Sequence, residues 1–178
     1  MEIQTLIVDN FLDKPDIVRQ SALTIDFKRT GFFPGVRSER ADDNYVDYTK
    51  KKIEFLLNLK IKEFIQDSHA FQICQEGVKT WIHHDDGEWA GVLYLTPNAP
   101  ISAGTGIYRH KQTGIYKGPS NASNEKDDDW ELITMIGNVY NRLVLYKGNL
   151  YHKSIIPGFG NTNENSRLTQ VFFFNTDK

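Results

Sequence analysis

Cysteine is nearly absent from this sequence, since Cys74 is the only one among 178 residues, and an intramolecular disulfide framework is therefore excluded. No apolar run approaches the roughly 18 residues that a membrane span needs. The first residues lack the basic and long apolar regions of a signal peptide. Charge of one sign is also scarce, because the formal net charge is −2. We therefore expect a cytoplasmic protein with neither a membrane nor a nucleic acid as partner.

The composition is that of a globular protein. Hydrophobic residues make up 39% and charged residues 25% of the chain, so a core can form. The length fits a single domain over residues 1–178.

Residues 6–8 predict a short strand, Pro15 opens a helix, and a second helix is predicted from near Thr49, with apolar positions at helical spacing as far as Ile65. The part before residue 70 is thus predicted to be mainly helical.

From residue 70 onward, short apolar or alternating segments follow one another, separated by Gly, Pro and Asn. This pattern is typical of an all-β sandwich or barrel. The predicted strands cover residues 70–74, 78–83, 91–95, 106–109, 132–136, 142–146 and 168–175. The predicted fold class is α+β, with N-terminal helices (about 1–69) packed on a β-sandwich (about 70–178). Residues 112–129, rich in small polar and acidic residues, predict a mobile surface loop, either an active-site lid or plain disorder.

Two overlapping His-x-Asp patterns carry the chemistry: His83 with Asp85, and His84 with Asp86. On a strand, side chains alternate with period two, so both members of one pattern share a face. A distant histidine, His152, would complete a set of two nitrogens and one carboxylate. Such a facial set leaves open metal positions, as non-haem Fe(II) oxygenases require. A histidine beside aspartates is also common in polar turns.

Arg167 opens the otherwise apolar segment LTQVFFF. A buried charge is costly unless it is paired. A dicarboxylate ligand would provide a partner, because a guanidinium binds a carboxylate through two parallel hydrogen bonds. The alternatives are that Arg167 reaches water at the strand end, or that Arg142 is the carboxylate partner instead.

In their order along the chain, these segments resemble the double-stranded β-helix (jelly-roll or cupin-like) of the 2-oxoglutarate/Fe(II)-dependent oxygenases, on the prolyl-4-hydroxylase-like side. The N-terminal DNF and FPGVRS resemble a little-studied bacterial and phage branch, which implies the host's cytoplasm if a phage encodes the protein. The segments that carry the resemblance are WIHHDD (81–86), GVLYLTP (91–97), SAGTGIY (102–108), NRLVLYKGNLYHKS (141–154) and SRLTQVFFFN (166–175).

The resemblance implies a mechanism and a set of ligands. Fe(II) would be held by His83, Asp85 and His152, with no catalytic residue beyond this metal site. The cosubstrate 2-oxoglutarate would meet Arg167 and the hydroxyl of Tyr94 through its far carboxylate. A dioxygenase of this kind converts 2-oxoglutarate and dioxygen into succinate and CO2 while it hydroxylates a C–H bond, and ascorbate can support it. The substrate would be an amino acid, a peptide or another small molecule.

Other functions remain open at this point. The main alternative is a cupin-like metal-binding module without redox activity. A zinc hydrolase could use the same three ligands, although the sequence offers no obvious general base. A nucleic-acid demethylase of the same superfamily is disfavoured, because those enzymes usually carry two arginines on the final strand and Arg167 stands alone. Between the two His-x-Asp patterns, His83 with Asp85 is favoured because Asp86 and Gly87 then form a turn just beyond it.

Overall fold

The described part of the chain contains two α-helices and ten strands. The computed structural model describes residues 3–118 and 126–177. The helices are α1 (Pro15–Leu23) and α2 (Asp43–Leu57). The strands are β1 (Thr5–Val8), β2 (Val36–Arg40), β3 (Ile61–Phe64), β4 (Ala70–Cys74), β5 (Trp89–Tyr94), β6 (Thr105–His110), β7 (Trp130–Ile136), β8 (Leu143–Lys147), β9 (His152–Ser154) and β10 (Arg167–Thr176), with a short 3₁₀ helix at Asp127–Asp129.

Local chemistry explains where α2 begins and ends. The Asp42 side chain accepts a hydrogen bond from the Tyr45 N–H at 3.0 Å and so caps the first turn. Asn58 ends the helix in the left-handed conformation, at φ 51°. The predicted continuation of this helix to Ile65 is wrong, because the chain turns at Asn58 and residues 61–64 pair with β10 instead. The buried face of α2 has helical spacing: Val46, Thr49, Ile53 and Leu57.

Two antiparallel sheets form the β-sandwich. The larger has the strand order β1-β8-β5-β10-β4-β2, and β3 also pairs with β10. The smaller has the order β7-β6-β9. Strand β10 is the organising element of the larger sheet, since it pairs with β3, β4 and β5. Every one of these pairings is antiparallel, which fits a jelly roll rather than a parallel α/β sheet.

The hydrophobic core has two main parts, one on each face of the larger sheet. On one face, α1, α2 and the segment around Phe11 pack against Leu93, Leu145, Phe172 and other sheet residues. On the opposite face, a smaller cluster joins the two sheets and includes Tyr94, Ile107 and Val144. Because β10 is covered on both faces, its run of apolar residues is explained, as the sequence predicted.

The α+β class and the N-terminal helices on a β-sandwich are confirmed, but the N-terminal part is less helical than predicted. Strand β1 was predicted over residues 6–8, but β2 and β3 also come from this part, and all three join the larger sheet. The predicted strand over residues 78–83 is also wrong, because only an isolated bridge at His83 forms there. Residues 119–125 of the predicted loop (112–129) lie outside the described residues. None of the helices within residues 3–118 and 126–177 has the length and apolarity to cross a membrane.

Truncating the core face of β10 tests this packing. Phe172 is 0% exposed in the main core, whereas Phe55 on α2 is 86% exposed. We expect Phe172→Ala to lower the free energy of unfolding by about 3–5 kcal/mol, because it leaves a cavity. Phe55→Ala, the same substitution at the surface, should change it by no more than about 0.5 kcal/mol. Urea unfolding of both variants measures the difference, and equal losses would contradict the assignment of the core.

Candidate metal centre

Backbone pairing brings three potential metal ligands together. The His83 N–H donates to the His152 carbonyl at 3.0 Å, and the His152 N–H donates to the His83 carbonyl at 2.8 Å. The Asp85 N–H donates to the carbonyl of Gly148, in the turn after β8, at 2.8 Å. As a result, one ligand atom from each of His83, Asp85 and His152 lies within 4.8 Å of the other two. Within residues 3–118 and 126–177, this is the group that could hold a metal ion.

A glycine makes this close approach possible. A Cβ atom at Gly148 would lie 2.0 Å from the backbone oxygen of Gly87, far inside van der Waals contact. The segment that carries Asp85 therefore packs directly on the turn between β8 and β9. Any side chain at position 148 would push this segment away from His152.

Hydrogen bonds fix the tautomers of both histidines. The Nδ1 of His83 lies 2.9 Å from the Trp81 carbonyl, and the Nδ1 of His152 lies 2.8 Å from the Leu150 carbonyl. A carbonyl only accepts, so each Nδ1 carries a proton and Nε2 is the ring nitrogen left for a metal ion. Both Nε2 atoms face Asp85, at 3.7 Å for His83 and 3.2 Å for His152. An imidazole held in this way is typical of a metal ligand.

His83, Asp85 and His152 also shift one another's pKa values. Burial and the neighbouring His152 lower the pKa of His83 to about 4. Burial raises the pKa of Asp85, but the two imidazoles outweigh it and hold that pKa below its usual range. Burial lowers the pKa of His152, while Asp85 raises it by more. At neutral pH, His83 is thus neutral and Asp85 ionised, the forms in which both bind metals.

A cavity of about 70 Å³ adjoins the three residues, and Arg167 also lines it. This space, which we call the inner cavity, is lined further by Thr105, Thr169 and Tyr146. Arg167 is only 2% exposed, and its Nε donates to the carbonyl of Ala103 at 3.2 Å. No acidic side chain of the described residues lies within ion-pair distance of its guanidinium. A buried guanidinium without a carboxylate is costly unless a ligand supplies one.

Hydroxyl groups lie beside Arg167. The guanidinium lies 5.7 Å from the ring centroid of Tyr94, and the Tyr94 hydroxyl lies 2.7 Å from the Thr105 hydroxyl. Burial raises the pKa of Tyr94, so its hydroxyl keeps its proton. Thr169 is directly opposite Tyr94 in the β10–β5 register, and its buried hydroxyl has no hydrogen-bond partner among the described residues. This end of the cavity is therefore rich in donors suited to an anion.

Strand alternation explains this arrangement and shows what sequence reasoning missed. Arg167, Thr169, Val171 and Phe173 on β10 all face the inner cavity, while Leu168 and Phe172 face the main core. Counting two residues on from Arg167 would have found Thr169 from the sequence. Arg142, the alternative carboxylate partner, is instead ion-paired with Asp9 at 2.6 Å.

The second His-x-Asp pattern lies apart from this group. The Nδ1 of His84 lies 3.2 Å from the Asp85 carbonyl, and its ring packs edge-on against Tyr151 at 5.8 Å. Asp86 is exposed. Neither side chain belongs to the potential metal-binding group.

The fold is that of the 2-oxoglutarate/Fe(II)-dependent oxygenases. HygX from Streptomyces hygroscopicus, with nickel, 2-oxoglutarate and hygromycin B bound, superposes with a TM-score of 0.62 at 10% identity, covering 96% of this chain and 82% of that one. A prolyl-4-hydroxylase from Pseudomonas putida gives 0.55 at 16% identity, covering 98% and 94%. A prolyl hydroxylase from Trichoplax adhaerens, in complex with a hypoxia-inducible-factor peptide fragment, gives 0.53 at 14%, covering 96% and 83%.

Sequence comparison assigns the family. Residues 2–123 match the model of a family of unknown function, DUF6445, and the chain belongs to this family. No curated protein matches the chain in sequence.

Alanine substitution separates the two His-x-Asp patterns. We expect His83→Ala and Asp85→Ala to lose Fe(II) binding, and His152→Ala likewise, because each removes one of three converging ligands. His84→Ala and Asp86→Ala serve as matched neighbours and should bind Fe(II) as the wild type does. Anaerobic metal titration measures binding, and circular dichroism checks the fold. The reverse pattern would assign the site to His84 and Asp86.

Proposed function

We propose that the protein is an Fe(II)- and 2-oxoglutarate-dependent dioxygenase that hydroxylates a C–H bond of an amino acid, peptide or small metabolite. One observation carries this proposal: a cavity in which two imidazole Nε2 atoms and a carboxylate converge also contains a buried guanidinium without a described carboxylate partner. We further propose that residues 1–178 act as one domain, in the cytoplasm.

The three residues fit Fe(II). Two neutral imidazoles and one ionised carboxylate form the facial ligand set that leaves metal positions open for other ligands. The hydrogen bonds from each Nδ1 to a backbone carbonyl orient the rings toward a shared point. Because Asp85 raises the pKa of His152, a cation that binds there would displace a proton from the His152 Nε2.

The other end of the inner cavity fits the far carboxylate of 2-oxoglutarate. Arg167 would donate to this carboxylate, and the Thr169 hydroxyl lies beside it. The Tyr94 hydroxyl is not among the groups that line the cavity and would have to leave that of Thr105 to reach the carboxylate. The inner cavity of about 70 Å³ is smaller than the roughly 150 Å³ known to hold benzene, so binding requires side chains to move. Lys153, a long side chain in the cavity wall that is ion-paired with the exposed Asp127, is the residue that we expect to move.

The residues of the chain bind and orient, while the bound groups supply the redox chemistry. When bound, Fe(II) and 2-oxoglutarate would use dioxygen to hydroxylate a substrate C–H bond, with release of succinate and CO2. His83, Asp85 and His152 would hold the metal, and Arg167 with Tyr94 would hold the cosubstrate. The apolar residues Val92, Val171 and Phe173 line the same cavity and would limit the access of water.

The alternatives have less support. A zinc hydrolase would need a general base beside the ligands, yet among the described residues that line the inner cavity Asp85 is the only carboxylate. A cupin-like module without redox activity would have no need of the buried guanidinium of Arg167. Release of succinate from 2-oxoglutarate, screened over amino acids and peptides with Fe(II) and ascorbate, separates a dioxygenase from both. Metal binding without any succinate release would support the cupin-like module.

Substitution of Arg167 tests the cosubstrate site. We expect Arg167→Ala to weaken 2-oxoglutarate binding by about 2–4 kcal/mol, because the bound carboxylate loses its charged partner. Metal binding should persist, since no metal ligand changes. Calorimetric titration with 2-oxoglutarate under anaerobic conditions measures the effect. Arg142→Ala is the matched control and should leave the affinity for 2-oxoglutarate unchanged; the opposite ranking would assign the carboxylate to Arg142.

A further inference from the structure

A second cavity, of about 190 Å³, adjoins the metal-ligand group. We call it the outer cavity. Its walls include His83 and Asp85, so a molecule bound there would lie against the candidate metal centre. Arg37, Pro34 and Phe173 line both cavities. The inner cavity is assigned above to the cosubstrate, which leaves the outer cavity for the molecule that is oxidised.

Aromatic rings form much of the outer cavity. Phe32 is 77% exposed, and its ring centroid lies 4.8 Å from that of Trp81. A cavity of about 150 Å³ holds a benzene molecule. The outer cavity therefore has room for one apolar group somewhat larger than a benzene ring, which is the size of a single amino-acid residue.

Two residues that line this cavity also carry unpaired polar atoms. The Nε1 of Trp81 and the Nε2 of His84 are buried without a hydrogen-bond partner among the described residues. The first is a donor. The second is an acceptor, because the His84 Nδ1 donates to the Asp85 carbonyl. A donor and an acceptor on two residues of one cavity are suited to the C=O and N–H groups of an amide.

Arg37 supplies the charge between the two cavities. It is 8% exposed, and its guanidinium carbon lies 4.1 Å from the ring centroid of Phe33. Its Nε donates to the Gln72 side chain at 2.6 Å, and its Nη1 donates to Asp67 at 3.0 Å. No described residue accepts a hydrogen bond from the Nη2 of Arg37, so its N–H groups are available to a ligand.

The charge of Arg37 is only partly compensated. Asp67 pairs with Arg37 and also, at closer range, with Arg29, so two guanidinium groups share one carboxylate. Glu39 lies 3.5 Å from Arg29 but is 84% exposed, where water screens it. The acidic residues of the outer cavity are Asp85, committed to the metal-ligand group, and the exposed Asp86. An anionic group beside Arg37 would therefore be favoured.

We propose that the outer cavity binds the substrate and that its substrate is an acylated amino acid or the carboxyl-terminal residue of a peptide. Arg37 holds its carboxylate, Phe32 and Trp81 contact its apolar side chain, and Trp81 Nε1 with His84 Nε2 meet its amide. The assignment of this ligand as substrate rests on the proposed function, whereas the preference for a carboxylate does not.

The test compares two probes of the same shape: N-acetyl-phenylalanine and N-acetyl-phenylalaninamide. Calorimetric titrations use anaerobic protein with Ni(II) in place of Fe(II), first without and then with saturating 2-oxoglutarate, so that turnover is prevented and any contribution of the cosubstrate site is revealed. We expect the acid to bind at least about tenfold more tightly than the amide, as for a hydrogen bond to a charged group. No preference for the acid would overturn the proposal, and so would a preference that disappears when 2-oxoglutarate is added. A tripeptide that ends in phenylalanine distinguishes the two sources, since tighter binding than N-acetyl-phenylalanine favours a peptide.

Two variants assign the preference to one residue. Arg37→Gln should bind acid and amide equally. Arg29→Gln is the matched control, because Arg29 pairs with the same Asp67 but lines neither cavity, and it should keep the wild-type ratio. A preserved ratio in Arg37→Gln, or an equal loss in both variants, would overturn the role of Arg37. If Arg37→Gln does not fold, Arg37→Lys takes its place and should give a ratio smaller than that of the wild type but above one.

The same titrations separate this proposal from the proposed function. If the protein prefers the carboxylate probe but binds neither Fe(II) nor 2-oxoglutarate, the anion subsite is supported and the dioxygenase function is rejected. If it binds Fe(II) and 2-oxoglutarate but shows no preference for the carboxylate, the dioxygenase function is supported and the anion subsite is rejected.

Discussion

The arrangement of Asp85 between two imidazoles is the constraint on which the site depends. Each Nε2 faces this carboxylate, and in both histidines a backbone carbonyl holds the proton on the other ring nitrogen. The rings cannot simply exchange tautomers, because the Nδ1 proton would be lost from a buried hydrogen bond. The chain thus holds two imidazole Nε2 atoms and an ionised carboxylate around one point, where a metal cation would replace the proton that Asp85 favours on His152.

The fold maintains this condition through backbone contacts that are distant in sequence. The segment with His83 and Asp85 is held by β9 and by the turn at Gly148, while β10 carries Arg167 toward the same cavity from the other sheet. The interface between the sheets therefore has a positive group at one end and a metal-ligand group at the other. An anionic chelator that reaches both would be matched in charge at each end, which is why the two parts of the site are best understood together.

Much of this could be predicted from the sequence, because the relevant signals are local. The apolar alternation after residue 70 predicted most strands. Spacing is the same in both His-x-Asp patterns, and it was the turn at Asp86 and Gly87 that favoured His83 and Asp85, the two residues that the structure brings to His152. The reason given for that pair was wrong in one respect, since residues 78–83 form no strand and a single bridge positions His83. Arg37 could not be identified in this way, because its burial depends on the pairing of β2 with β4 and on Asp67, thirty positions away. The end of α2 at Asn58 was missed for a related reason: the apolar residues beyond it keep helical spacing, yet their pairing with β10 makes them a strand.

The visible spectrum of anaerobic protein with Fe(II) and 2-oxoglutarate tests the central claim most directly. If the keto-acid end of 2-oxoglutarate chelates iron held by His83, Asp85 and His152, a weak charge-transfer band should appear in the wild-type protein and be absent from Asp85→Ala. Full occupancy of the protein by Fe(II) and 2-oxoglutarate without such a band, or an unchanged band in Asp85→Ala, would contradict the account.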